Sequence, residues 1–301
     1  MMAHKIDTAM KRLHFLKIIA SLPLIGASMK LEAFEKISNN FSNTQKTPLL
    51  FIGHGHPINA LLDNDFTQHL SKIGTSIEKP NAIMIISAHW TTKGTLISVN
   101  SLPKALYDFG NIDDRLFQIK YEPKGHPQLA KQAIETAANY HIQEDPSMDL
   151  DHGAWTVLKH LYPDADVPVF EMSIDESQPP NYHFELANAL KKMREKGVLI
   201  IASGNIVHNL KMIDWNNINA KPLDWAIEFD ELVKSKLNSQ DFKALVNYNQ
   251  LGSIFQLAHP TNEHYLPMLY TLGLADKTEE VKYCFEGFQF GSASMRCFQI
   301  L

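Results

Sequence analysis

The sequence predicts an α/β fold: a single domain with a mixed central β-sheet, helices on both faces, and a metal site at the carboxyl ends of strands. Three observations predict it. Short apolar runs at 48–52, 82–87, 168–173 and 198–202 read as buried strands. Stretches of helical spacing separate them, as at 126–140, where Leu129, Ala133, Ile134 and Ala137 recur on one face. Several runs then end in small residues and a histidine, as in Gly53-His54, Ser87-Ala88-His89 and Ser203-Gly204-Asn205 before His208. Ligands of open α/β sheets gather at the carboxyl ends of strands, so these imidazoles are expected to meet in one crevice.

Taken in order, the strand at 48–52 leads into a loop rich in histidine and glycine and then a helix through Ile73. A strand at 82–87 and a shorter one at 96–99 follow. Residues 103–121 lack periodicity, hold Tyr107-Asp108-Phe109-Gly110, and read as a long functional loop. After the helix at 126–140, Asp151-His152-Gly153 precedes a helix ending near Tyr162-Pro163. The strand at 168–173 is followed by a helix over 182–196 closed by Gly197, then the strand at 198–202. Further helices are expected at 224–236 and 264–272, the latter with Thr261 as its N-cap. The tail at 283–300 alternates polar and apolar residues about Gly291, as strands of a hairpin do. There is no internal repeat and no domain break.

Composition narrows the function classes. A chain of 301 residues with 45% hydrophobic and 20% charged residues is ordinary for a globular protein. Its net charge of −5 and lack of a basic run disfavour a nucleic-acid partner. Cys284 and Cys297 are too few for a disulfide framework and are read as free thiols or one pair. Residues 1–46 read as a leader and linker, with the folded domain at 47–301. Met10-Lys11-Arg12-Leu13 before an apolar stretch is similar to a twin-arginine export signal, but Leu13 replaces the second arginine. A cytoplasmic location is therefore expected, with export through a degenerate leader as the alternative. The apolar stretch is too short for stable membrane insertion.

The histidines carry the chemistry. Neutral imidazole is a ligand for transition metals and also titrates near neutrality. His54, between glycines, and His89, beside Trp90, are candidate ligands; His56 could reach the same ion or stand behind it. His208 is a further ligand or a free acid/base. His152 is a candidate hydrogen-bond donor, with Asp151 orienting it or capping the next helix. His259-Pro260-Thr261-Asn262-Glu263-His264 adds three candidates, His259, Glu263 and His264. Two histidines with a carboxylate would suit Fe(II) and point to Glu263; three histidines would suit zinc.

Seven motifs in order then carry a resemblance. They are Phe51-Ile52-Gly53-His54-Gly55-His56-Pro57, Ser87-Ala88-His89-Trp90, Tyr107-Asp108-Phe109-Gly110, Asp151-His152-Gly153-Ala154-Trp155, the stretch 162–168, Ala202-Ser203-Gly204-Asn205-Ile206-Val207-His208-Asn209, and Pro260-Thr261-Asn262-Glu263-His264-Tyr265-Leu266-Pro267. Together they resemble the class III extradiol ring-cleaving dioxygenases, in the 4,5-DOPA dioxygenase branch, over about residues 47–301. The resemblance implies one divalent metal per chain, Fe(II) for oxygenase activity or Zn(II) as bound. Its ligands would be His54, His89 and His264, histidine standing where other class III enzymes have a glutamate. His208 matches the catalytic histidine, able to approach coordination as a fourth ligand in a zinc form, and His152 the second active-site histidine. Trp90, Tyr107 and Asp108 are candidates for the substrate wall, and a catechol and O2 are the implied partners. His56 departs from the more usual Ser or Thr, and Asn262 from the expected Pro. A zinc hydrolase on the same ligands and a non-catalytic binding protein are the rival readings. On this reading His89→Ala abolishes metal binding and turnover, whereas His208→Ala lowers turnover and spares most metal affinity; loss of metal from both variants would make His208 a ligand.

Overall fold

Alternation along the central strands feeds two apolar cores, one on each face of a sheet. Leu49, Phe51, Met84, Ile86, Ile200 and Ala202 enter one core, while Leu50, Ile52, Ile83, Ile85, Leu199 and Ile201 enter the other. The computed structural model describes residues 46–301, so the leader and most of the linker lie outside the described residues. In chain order its elements are β1 (Leu49–Gly53), α1 (Asp65–Ser76), β2 (Ala82–Thr92), β3 (Leu96–Ser98), α2 (Pro127–Thr136) and β4 (Gln143–Asp145). Next come α3 (His152–Leu161), β5 (Val169–Asp175), α4 (Pro180–Ala189), α5 (Lys192–Glu195), β6 (Val198–Gly204) and α6 (Asp224–Asn238). They end with α7 (Phe242–Val246), α8 (Ser253–Ala258), α9 (Leu266–Leu274), β7 (Val281–Phe285), β8 (Phe288–Gln289), β9 (Ala293–Ser294) and β10 (Cys297–Ile300).

The main sheet runs β4-β3-β5-β2-β6-β1-β10-β7. Strands β5, β2, β6 and β1 are mutually parallel, β3 is antiparallel to β5, and β10 is antiparallel to both β1 and β7. The sheet is therefore mixed, as predicted. Helices α1 and α3 cover one face, and α4, α6 and α9 supply the other core. The parallel strands carry their carboxyl ends, and hence His54, His89 and the segment leading to His208, to one edge. Among the described residues no helix is long and apolar enough to cross a membrane.

Several local expectations are corrected. Strand β2 runs on to Thr92, so His89 and Trp90 lie inside it. Its pairing with β5 shifts between Ile86↔Met172 and Thr91↔Ile174, leaving 87–90 opposite Ser173 alone. Such a bulge re-aims side chains, and His89 sits within it. The helix expected over 182–196 is two: α4 stops at Ala189, and α5 closes on Gly197 with φ +73°. The break swings Arg194 into the interior, where it bonds the carbonyls of Thr47 and Leu274 and both oxygens of Glu279. Helix α9 begins at Leu266, not His264, and Thr261 does not cap it; its hydroxyl donates to Glu263 at 2.9 Å. Pro267 sets this start, because a residue without N–H belongs in a first helical turn. The tail forms the expected hairpin, β8 and β9 joined through Phe290 and Gly291 at φ +53° and +79°. It is nested between the longer antiparallel partners β7 and β10. Cys284 and Cys297 are both free.

Gly74 in α1 faces the carboxyl end of α3 so closely that a Cβ there would lie 1.9 Å from the Leu161 carbonyl oxygen. Gly74→Ala is expected to destabilise the protein by about 2 kcal/mol, since the backbone cannot yield cheaply. Thermal unfolding should register this as a Tm lowered by roughly 4–8 °C.

Candidate metal centre

Each site histidine is placed by a different element. His54 follows β1, and the turn beyond it needs Gly55, which sits at φ +64° where a Cβ would strike the Met295 sulfur. His89 projects from the β2 bulge. His152 is the first residue of α3, capped by Asp151, whose carboxylate accepts the Ala154 N–H at 2.9 Å. Asp151 thus caps the helix, and Asp108 is the carboxylate that lies beside the His152 ring. His208 lies past β6, its N–H donated to the Ala258 carbonyl, and His264 lies in the turn before α9. The Asn205 N–H donates to the His264 carbonyl at 2.9 Å and so ties that turn to the end of β6.

Hydrogen bonds set the tautomers. The Ser203 hydroxyl spends its one proton on the Gly153 carbonyl at 2.7 Å. It can only accept from His54 Nδ1, 2.9 Å away, so the His54 proton is on Nδ1 and Nε2 carries a bare lone pair. His264 Nδ1 faces Glu263 Oε1 at 3.0 Å, which fixes the same tautomer, and its Nε2 is buried with no partner. His89 Nε2 is 3.1 Å from His54 Nε2. Ligand nitrogens of His54, His89 and His264 all lie within 4.8 Å of one another. Nitrogens about 2.1 Å from one ion stand roughly 3.0–3.4 Å apart, so the His54–His89 spacing suits a shared cation. The residues present therefore fit a divalent metal, with a carboxylate or hydroxyl behind two of three ligands as metal sites require.

Burial, then the neighbouring imidazoles, push His54 and His264 well below the usual histidine range; burial and His152 do the same for His89. All three are neutral near pH 7 and able to ligate. His208 stacks on His264 with ring centres 3.4 Å apart and planes 8° from parallel. Burial and His152 lower its pKa to about 4, so it too is a neutral base. The His152 ring centre is 3.7 Å from that of His89. Its Nδ1 lies 3.0 Å from Asp108 Oδ2, and its backbone N–H donates to Asp108 Oδ1 at 2.9 Å. Burial raises Asp108, but the bonds and charge of His152 outweigh it and hold the carboxylate below its ordinary value.

Other predicted residues fall elsewhere. His259 is no ligand to this group; its Nε2 donates to the Ile206 carbonyl at 2.6 Å, between the rings of Phe255 and Tyr265. Glu263 could join His208 and His264 around an ion, but its oxygen is bonded to His264 Nδ1, on the far side of that ring from Nε2. His56 takes the Ile58 N–H on Nδ1 and packs edge-on against Trp215 and Phe290. The Tyr107 hydroxyl is committed to the Ile119 carbonyl, while its ring meets Phe109, Phe117 and Trp155. Trp90 is buried, and no ring contact joins it to the five histidines among the described residues. Sequence reasoning missed Phe109, whose ring meets His152 edge-on at 5.5 Å, and Ser203, although both lie in the quoted motifs.

An α/β fold that gathers neutral imidazoles at one edge of its sheet is an arrangement suited to a metal-dependent enzyme. The family model for the catalytic LigB subunit of aromatic ring-opening dioxygenase matches residues 48–294. The chain belongs to that family and is an extradiol ring-cleavage dioxygenase. It is 40% identical over 264 residues to a 4,5-DOPA dioxygenase extradiol of Escherichia coli K12, covering 86% of this chain and 96% of that protein. A 4,5-DOPA dioxygenase extradiol of Beta vulgaris is 30% identical over 251 residues, 82% of this chain and 91% of that protein. A crystal structure of an uncharacterised Escherichia coli K12 protein superposes with a TM-score of 0.75 at 39% identity, covering 85% of this chain and all of that one.

Ser203→Ala removes the acceptor that fixes His54 and is expected to weaken metal binding about 10–100-fold. Glu263→Gln keeps an acceptor oxygen for His264 and should cost less. Competition against a chelating dye measures both; unchanged affinity in Ser203→Ala would contradict this assignment of the tautomer.

Proposed function

We propose that the chain cleaves the ring of an L-DOPA-like catechol with O2 at an extradiol position, giving a ring-opened semialdehyde. The observation that carries this reading is the convergence of His54, His89 and His264, with the protons of His54 and His264 turned outward, flanked by His208 and His152. The names of the relatives supply the substrate class. His54, His89 and His264 are the ligands of one divalent metal, with Fe(II) the oxygenase form. When bound, Fe(II) supplies Lewis-acid binding of catechol oxygens and electron exchange with O2.

The remaining groups hold substrate and move protons. His208, neutral and with no hydrogen bond to either ring nitrogen among the described residues, takes a catechol hydroxyl proton and later returns it. Its stacking on His264 keeps the ring beside the ligands. His152 donates a hydrogen bond to negative charge developing on oxygen, and Asp108 holds the imidazole in that role. Phe109 forms an aromatic wall beside His152, stiffened by Tyr107 behind it. Trp90 is buried next to His89 in the same irregular stretch of β2. Holding the two reactants together in one orientation removes much of the entropic barrier to their reaction.

The test is oxygen uptake by protein stripped of metal and reloaded anaerobically with Fe(II) or Zn(II), then given L-DOPA. Iron-dependent uptake with a new yellow product is expected. Hydrolytic activity with zinc and no uptake with bound iron, across a panel of catechols, would overturn the proposal.

A further inference from the structure

Beneath the site lies a pair of acidic groups that the chemistry above does not use. Glu171 is in the middle of β5, wholly buried, opposite Ile85 of β2. Phe170 and Met172 enter one core and Val169 the other, so alternation turns Glu171 toward the face covered by α3. There its carboxyl meets that of Asp151, itself 1% exposed. Asp151 Oδ1 accepts the Ser87 hydroxyl at 2.7 Å and the Ala154 N–H at 2.9 Å. Asp151 Oδ2 and both Glu171 oxygens have no donor. Two ionised carboxylates in contact inside a protein repel strongly, and three buried acceptors without a donor add to the cost. One proton removes the repulsion and satisfies two of the three oxygens, the Glu171 O–H donating to Asp151 Oδ2.

We infer that Glu171 and Asp151 share a single proton, and that Glu171 is a positioning residue whose O–H anchors the helix start carrying His152. Asp151 has two donors and keeps the charge; Glu171 has none and keeps the proton. Burial first, and then the Asp151 charge, push Glu171 well above the ordinary glutamate range. The titratable groups acting on it are Asp151 at the start of α3 and Asp108 from the 103–121 loop; His152 acts on Asp151, to which β2 contributes the Ser87 hydroxyl. Among the described residues no lysine or arginine bonds either carboxyl. Ser87 also accepts the His89 N–H at 3.3 Å, so the pair braces the two neighbouring histidines together. An ionised Glu171 would drive Asp151, and the first turn of α3 with it, away from the sheet.

The test compares wild type, Glu171→Gln and Glu171→Leu. A proton held more tightly in the folded protein than in the unfolded chain makes stability fall as pH rises above the ordinary glutamate pKa of about 4.3. Glu171→Gln keeps a donor but has no proton to lose, so its Tm should fall less than that of wild type from about pH 5 to 8. Infrared spectra of the metal-free protein at neutral pH should show a buried carboxylic-acid carbonyl band that Glu171→Gln removes. With iron and L-DOPA, Glu171→Gln should stay within about threefold of wild type, while Glu171→Leu loses roughly tenfold or more in kcat with little change in KM. Parallel Tm–pH curves for wild type and Glu171→Gln, no acid band, or equal impairment of the two variants would overturn the inference. Should Glu171→Leu not fold, the curves and the band still decide it. The kinetic arm rests on the proposed catechol cleavage; if no catechol turns over, that proposal fails while the other two arms stand.

Discussion

Bare nitrogen lone pairs must face one another inside the protein for this site to exist, and that requirement organises much around it. A buried imidazole without a partner on Nε2 is costly, as at His264, while His54 and His89 have only each other on that side. The fold meets the demand by pinning the protons of His54 and His264 on the outer side of their rings. Ser203 does this for His54 and Glu263 for His264, and Ser203 is itself held by the carbonyl of Gly153. A cation among these nitrogens would relieve that cost, so the contacts that make the arrangement unfavourable are those that would create affinity.

Carboxylates stand beside two of the imidazoles. Glu263 stands behind His264 and Asp108 behind His152, while Asp151 is turned to the helix N-terminus next to it. A carboxylate in this position leaves the ligand ring neutral and raises its basicity, whereas in the inner layer it would change the ligand set itself. The three histidines thus present a site whose charge is dominated by whatever ion enters.

Much of this was legible in the sequence because it is local. Apolar runs ending in small residues and histidine located β1, β2 and β6 and the side chains they carry to one edge. Pro267 lies within the helix expected over 264–272, yet α9 starts only at Leu266 and leaves His264 in a turn. What could not be read depends on partners distant in the chain. Ser203 has no special mark beyond its motif, and its importance comes from lying between His54 and Gly153. The β2 bulge that aims His89 arises from pairing with β5, and the break between α4 and α5 accompanies the inward turn of Arg194 to Glu279. Asp151 was weighed as the orienter of His152, but the loop that places Asp108 there has no periodicity to betray its path.

The strand order has a consequence for how the molecule is made. Histidines that converge in space come from β1 near one end of the described chain and from the turn before α9 near the other, with β2 and β6 between. The parallel core and its distant pairings give a high contact order, so the sheet closes slowly and late. A nascent chain emerging from the ribosome carries His54 and His89 long before His264, and two imidazoles alone make a weak trap for a metal. An ion held by the proposed ligands would therefore enter a nearly completed protein, and selection among competing metals would fall to the finished cavity and not to the growing chain.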